Sequence, residues 1–201
     1  MIKVIIFDLG GILVPEKSVQ IKKEICEFLK IPTEQLFTYF ERYSKELTTG
    51  KISLLDFYGS ISDKFNLEKT PNQILQKHIE LYANYCTYRD EDIISLIKKL
   101  RKNYKVVALT NTEIEVFEYN KKNGLFDYFE KVYCSNEMHL MKPEEDIFLK
   151  VLEELHFLPN EAVFIDDKIE YVNASKKTGI RSILFQDYEQ LEKELGFLSV
   201  I

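Results

Sequence analysis

Val4-Ile5-Ile6-Phe7 is an unbroken apolar run that ends in Asp8 and is followed by Leu9 and the Gly10-Gly11 pair. A run without polar alternation is the pattern of a strand buried on both faces. From residue 15 the period changes. Ile21, Ile25, Phe28 and Leu29 recur at helical spacing and stop near Ile31-Pro32. Thr33 is expected to cap a second helix carrying Leu36, Phe37, Phe40, Tyr43 and Leu47. Ser53 with Asp56, and Thr70-Pro71-Asn72-Gln73, have the form of two capping boxes that open a third and a fourth helix. Four amphipathic helices with no strand between them predict a small helical bundle, and their aromatic stripe predicts its core.

Beyond Asp90 helix and strand alternate. Buried strands are expected at Lys105–Leu109, Val132–Cys134, Ala162–Ile165 and Ser182–Phe185, with helices between them, one of them starting at Pro143. Such alternation implies right-handed crossovers and a parallel sheet. The expected fold is therefore α/β, a doubly wound parallel sheet built from residues 1–14 and 89–201. A helical bundle of residues 15–88 is inserted after its first strand.

Composition narrows the class. The 201 residues are 45% hydrophobic and 30% charged, ordinary for a globular chain, and the net charge of −6 argues against nucleic acid or a membrane surface as partner. Cys26, Cys86 and Cys134 are widely spaced and odd in number, as expected of buried free thiols in a reducing compartment. The first apolar run is broken by Asp8 and has no cleavage pattern, and no stretch is long enough to span a bilayer. A cytoplasmic protein is expected. His78, His139 and His156 show no site spacing.

Three of the strands end in polar residues: Asp8, Thr110-Asn111 and Asp166-Asp167. Lys142 precedes Pro143. In a parallel sheet these ends share one edge, where ligands bind. Three converging carboxylates repel unless a cation compensates, and their oxygens suit magnesium. The Thr110 hydroxyl, Asn111 amide and Lys142 ammonium suit phosphate oxygens, and a remaining carboxylate could act as a nucleophile.

The stretches VIIFDLGG, VVALTNT, LMKPEEDIF and AVFIDDKIEYVNASKKTGIRSILF, in this order, resemble the haloacid dehalogenase (HAD) superfamily of hydrolases, over the whole chain. The resemblance is to its capped branch, which includes sugar-phosphate phosphatases of the glucose-1-phosphate type. It implies a HAD-like Rossmannoid core, a helical cap and a small phosphorylated metabolite as partner; assembly as monomer or weak dimer stays open. By this resemblance Asp8 would be nucleophile and Mg2+ ligand. The Gly10 carbonyl and Asp166 would also bind the metal. Thr110 and Lys142 would hold the phosphate and the aspartyl-phosphate, and Asn111 would assist binding. Asp167 and Glu170 match positions that often act on the metal through water.

One position departs from that pattern. Most phosphatases of the superfamily carry a second aspartate two residues after the nucleophile, as general acid and base; here that residue is Gly10. Loss of a positioned acid typically costs about 10²–10⁴-fold in rate. Either the substrate has a good leaving group, such as an anomeric sugar phosphate, or another group such as Glu16 or a water supplies the proton, or the chemistry is not phosphoryl transfer. The 2-haloacid dehalogenases also lack the second acid but need an arginine, and Arg42 is the only arginine in the helical insertion. A catalytically silent binding protein of the same fold is the remaining alternative. A receiver domain would carry its acidic pair on the first strand, and LGGILVP lacks the G-x-G-x-x-G of a dinucleotide fold.

Overall fold

The computed structural model describes all residues, 1–201. Strand β1 (Val4–Phe7) is fully buried along its length and lies at the centre of a five-stranded parallel sheet. The others are β2 (Lys105–Thr110), β3 (Lys131–Cys134), β4 (Ala162–Asp166) and β5 (Arg181–Leu184), in the order β3-β2-β1-β4-β5. Order reverses at β1, so the crevice of a doubly wound sheet opens at its carboxyl end. Phe7 is level with Ala108 of β2 and Ile165 of β4, which brings Asp8, Thr110 and Asp166 to one edge.

The two sheet faces bury separate cores. Ile5 and Phe7 pack with Val106, Ala108, Val163 and Ile165 beneath α6 (Glu91–Leu100) and α11 (Tyr188–Phe197). Val4 and Ile6 pack on the other face with Val107, Phe164 and the apolar stripe of α9 (Glu145–Leu155). Also flanking the sheet are α7 (Ile114–Lys122), the short α8 (Ser135–Met138) and α10 (Ile169–Lys177). These layers match the expected α/β fold.

Five helices rather than four follow β1: α1 (Ser18–Leu29), α2 (Thr33–Arg42), α3 (Ser44–Thr48), α4 (Leu54–Phe65) and α5 (Pro71–Tyr85). They enclose a third core around Ile25, Leu36, Phe57, Tyr58 and Ile74. Both expected capping boxes form, at Ser53/Asp56 and Thr70/Gln73. The second expected helix breaks at Tyr43, whose ring stacks on Tyr39 and meets Phe57 edge-on, at centroid distances of 6.3 and 5.9 Å. Aromatic packing there overrides the continuous helical pattern. Thr33 does not cap: it is the first helical residue, and the Pro32 carbonyl accepts the first turn's N–H groups.

The helix expected from Pro143 begins instead at Glu145. Residues 141–144 form a turn, closed by the Glu144 N–H on the Met141 carbonyl at 2.8 Å. Contacts with a residue distant in sequence, Asn111, fix this turn.

The five helices dock on the sheet domain through specific contacts. Glu115 of α7 accepts the backbone N–H groups of Leu54 and Leu55, both at 3.0 Å, and so satisfies orphan donors at the start of α4. Val116 of α7 joins the helical core.

Candidate active site

Asp8 leaves β1 with its N–H on the Ile165 carbonyl at 2.9 Å, so its position is fixed by the sheet ladder itself. Lys142 enters from the 141–144 turn and is fully buried. Its Nζ lies 2.9 Å from Asp8 Oδ1 and 2.6 Å from Asp166 Oδ2, and the other Asp166 oxygen accepts the Lys168 N–H at 2.9 Å. Burial works against the Lys142 ammonium, but attraction to Asp8 and Asp166 prevails and raises its pKa. Asp166 is raised by burial, opposed by Lys142 and reinforced by Asp8. A buried ion pair is costly unless its remaining hydrogen-bonding capacity is met, and here the lysine serves two carboxylates.

Asn111 holds the lysine-bearing turn in place. Its Nδ2 donates to the Lys142 carbonyl at 2.9 Å and its Oδ1 accepts the Lys142 N–H at 3.0 Å. Both ends of the amide thus hold the lysine backbone, and Asn111 also lines the cavity over the strand edge.

Asp8, Asp166 and Asp167 each place an oxygen within 4.8 Å of the other two. Asp167 is raised by burial and then by repulsion from Asp8, and its buried Oδ1 has no hydrogen-bond partner. An orphaned carboxylate oxygen beside two more carboxylates, with one ammonium among them, fits a hard divalent cation with oxygen ligands. Glu170 does not join this group: it is exposed in the first turn of α10.

The glycine pair makes room for acidic groups. Residues 9–14 form a tight loop in which the Leu13 and Val14 N–H groups both donate to the Leu9 carbonyl, at 2.9 and 3.1 Å. The chain doubles back and brings Glu16 to Gly10: a β-carbon on Gly10 would lie 3.1 Å from Glu16 Oε2. The other carboxylate oxygen accepts the Ser18 N–H at 3.0 Å. A β-carbon on Gly11, whose φ is +77°, would overlap the Asp167 carboxylate.

A cavity of about 230 Å³ opens over this edge, between sheet domain and helices, and Gly10, Thr110 and Glu16 line it. Thr110, the last residue of β2, is buried. Lys168, Tyr171, Lys22, Glu113, Tyr82 and Asn120 also face the cavity. Lys168 adjoins the Asp166-Asp167 pair and was within reach of a spacing argument; the others sit on helices whose facing cannot be read from period alone. Arg42 does not line the cavity. It is exposed, its guanidinium carbon 5.5 Å from the Tyr43 ring centroid. His78 is part of the helical core, hydrogen-bonded at Nδ1 to the Tyr58 hydroxyl at 2.6 Å, and burial lowers its pKa to about 4. The three cysteines are buried and unpaired.

Known proteins resemble this chain in sequence and fold. A D-ribitol-5-phosphate phosphatase of Bacteroides thetaiotaomicron is 28% identical over 207 residues, covering 97% of this chain and 97% of the relative. The solved structure of a HAD family enzyme from Bacteroides thetaiotaomicron, in complex with magnesium and inorganic phosphate, has a TM-score of 0.79 at 25% identity, covering 95% of this chain and 99% of that one. A 2-haloacid dehalogenase from Pseudomonas syringae pv. Tomato has a TM-score of 0.70 at 18% identity, covering 98% and 100%, a likeness of fold alone. The profile of haloacid dehalogenase-like hydrolases matches residues 5–185, and with that span and this fold the chain belongs to the haloacid dehalogenase-like hydrolase family.

Proposed function

We propose that this hydrolase is a magnesium-dependent phosphatase of a small phosphomonoester, a sugar or polyol phosphate, acting through an aspartyl-phosphate, with residues 15–88 as its cap. The observation that carries this reading is the buried Lys142 ammonium held between Asp8 and Asp166, beside the unpartnered oxygen of Asp167. A 2-haloacid dehalogenase would need an arginine at the site, and Arg42, the only arginine of the helical insertion, is exposed and does not line the cavity. The ribitol-phosphate phosphatase, similar over nearly the full length of both chains, supports a polyol or sugar phosphate as the substrate class.

Asp8 Oδ attacks phosphorus and the bond to the leaving oxygen breaks, giving the aspartyl-phosphate. Lys142 and Thr110 receive the transferring oxygens, and Asn111 keeps Lys142 in register through its backbone. Glu16, at the space left free by Gly10, gives its proton to the leaving oxygen. It then takes one from the water that attacks the aspartyl-phosphate and returns Asp8 as a carboxylate. Magnesium, held by Asp8, Asp166 and the Gly10 carbonyl with Asp167 alongside, would offset charge on the phosphoryl group. The cap excludes bulk water and selects the leaving group.

The test is a phosphate-release assay over sugar and polyol phosphates, with and without magnesium, on wild type and Asp8→Asn. Release that needs the metal and vanishes in the variant is expected. Chloride release from 2-chloroacids with no phosphate release overturns the reading, and equal phosphate release by Asp8→Asn overturns the nucleophile.

A further inference from the structure

Several polar side chains line the cavity without a part in the chemistry above, among them Glu113 and Asn120 from the sheet domain and Lys22 and Tyr82 from the helices. Tyr82 and Asn120 are bonded to each other, hydroxyl to Oδ1 at 3.1 Å and Nδ2 to hydroxyl at 2.8 Å. Glu113 differs. It precedes α7, yet its side chain caps no helix N–H. Its neighbour Glu115 holds two backbone donors of α4, whereas the Glu113 carboxylate is approached only by its own N–H. Burial raises its pKa, with Lys22 the main opposing charge.

A half-buried carboxylate that no other residue's donor engages is free to accept a hydrogen bond from whatever occupies the cavity, and a ligand hydroxyl can replace the water there. The ligand's chemistry follows from the pairing across the cavity. Lys22 and Glu113 face the same space, with no ion pair between them. A cationic amine would satisfy Glu113 but be repelled by Lys22. A hydroxyl satisfies both, since it donates to the carboxylate and accepts from the ammonium. At about 230 Å³ the cavity is below the ~300–1,000 Å³ usual for drug-sized ligands, which fits a short hydroxylated chain.

We propose, on the phosphatase reading above, that Glu113 is a specificity-determining residue that accepts a hydrogen bond from a hydroxyl of the substrate's leaving group, with Lys22 donating to the same hydroxyl or its neighbour. It takes no part in the chemical step. The aliphatic polyol phosphate is therefore bound through two ends, phosphate at the strand edge and hydroxyl at Glu113.

The experiment compares kcat/KM for the best substrate of a pentitol and hexose phosphate panel, D-ribitol 5-phosphate included, with that for p-nitrophenyl phosphate, which has no aliphatic hydroxyl. Glu113→Ala is expected to lower kcat/KM on the polyol substrate about 10–100-fold, mostly through KM, and on p-nitrophenyl phosphate less than about threefold. Glu113→Gln, which keeps one acceptor oxygen, recovers part of the loss. Equal losses on both substrates, a loss confined to kcat, or no loss at all overturns the assignment. Wild type that cleaves p-nitrophenyl phosphate but no polyol phosphate also overturns it and leaves the phosphatase reading standing. Wild type that cleaves neither, with magnesium present, ends both.

Discussion

Glu16 Oε2 lies 3.1 Å from the point a β-carbon on Gly10 would occupy, so a carboxylate stands beside the position two residues after Asp8 although it comes from later in the chain. Glu16→Gln is expected to lower kcat on an alkyl phosphate about 10²–10³-fold, with a smaller loss on p-nitrophenyl phosphate, whose phenolate needs less protonation. Gly10→Asp alone places two carboxylates in contact and is expected to lower activity. In a Glu16→Ala background the same Gly10→Asp should restore part of it. Steady-state kinetics on wild type, the three single variants and the double variant checks this. Activity in Glu16→Gln equal to wild type on the alkyl phosphate would remove Glu16 from the reaction.

Gly11 is required for two separate reasons, its positive φ and the Asp167 carboxylate against it. Gly11→Ala is expected to cost about 1–2 kcal/mol from the left-handed backbone alone. It also displaces Asp167, which should weaken magnesium binding about 10–100-fold. Denaturant melts measure the first effect and a magnesium titration of activity the second. Gly10→Ala, whose β-carbon meets only the end of a flexible glutamate, should leave magnesium affinity much closer to wild type.

What the sequence carried depended on the kind of force involved. The three central strands were legible because burial on both faces removes alternation, leaving runs such as Val4–Phe7 and Ala162–Ile165 unmistakable. Once the strands are parallel, the edge shared by Asp8, Thr110 and Asp166 follows from topology. The capping boxes at Ser53 and Thr70 were legible because they are local. The break at Tyr43 and the turn before Glu145 were not, because each is set by a residue distant in sequence, Phe57 and Asn111 respectively. Glu16 could be named as near the site but not placed, since the 9–14 loop that returns it to Gly10 has no periodicity to read.

His78 gives the helical core a pH dependence. Burial lowers its folded pKa to about 4 from 6.5, so between these values the unfolded chain holds more protons than the folded one. Stability from this residue is complete above pH 6.5 and falls as pH drops toward 4, a change on the order of 3 kcal/mol. Tyr58, which shares its hydrogen bond, and Lys22 are the groups that bear on it. His78→Gln should flatten the acid limb of a stability profile recorded from pH 4 to 8. A profile of unchanged slope in the variant would place the acid sensitivity elsewhere.

Loss of Lys142 should disrupt both fold and chemistry. Lys142→Met preserves length and apolar packing against Phe164 and Tyr171, whose ring centroids lie 5.4 and 4.9 Å from Nζ. It leaves Asp8 and Asp166 facing each other in a buried site with their common partner gone. Breaking a buried pair from one side typically costs about 3–5 kcal/mol. In metal-free buffer the variant is expected to lose stability in that range. Adding magnesium should return more stability to Lys142→Met than to wild type, because the cation then neutralises a larger surplus of negative charge. Activity should stay at least about 10²-fold down even when magnesium has restored the fold, since the metal cannot replace the ammonium on the phosphate oxygens. Thermal melts across a magnesium series, read beside phosphate release, separate the two effects; full recovery of activity with magnesium would make Lys142 a structural residue only.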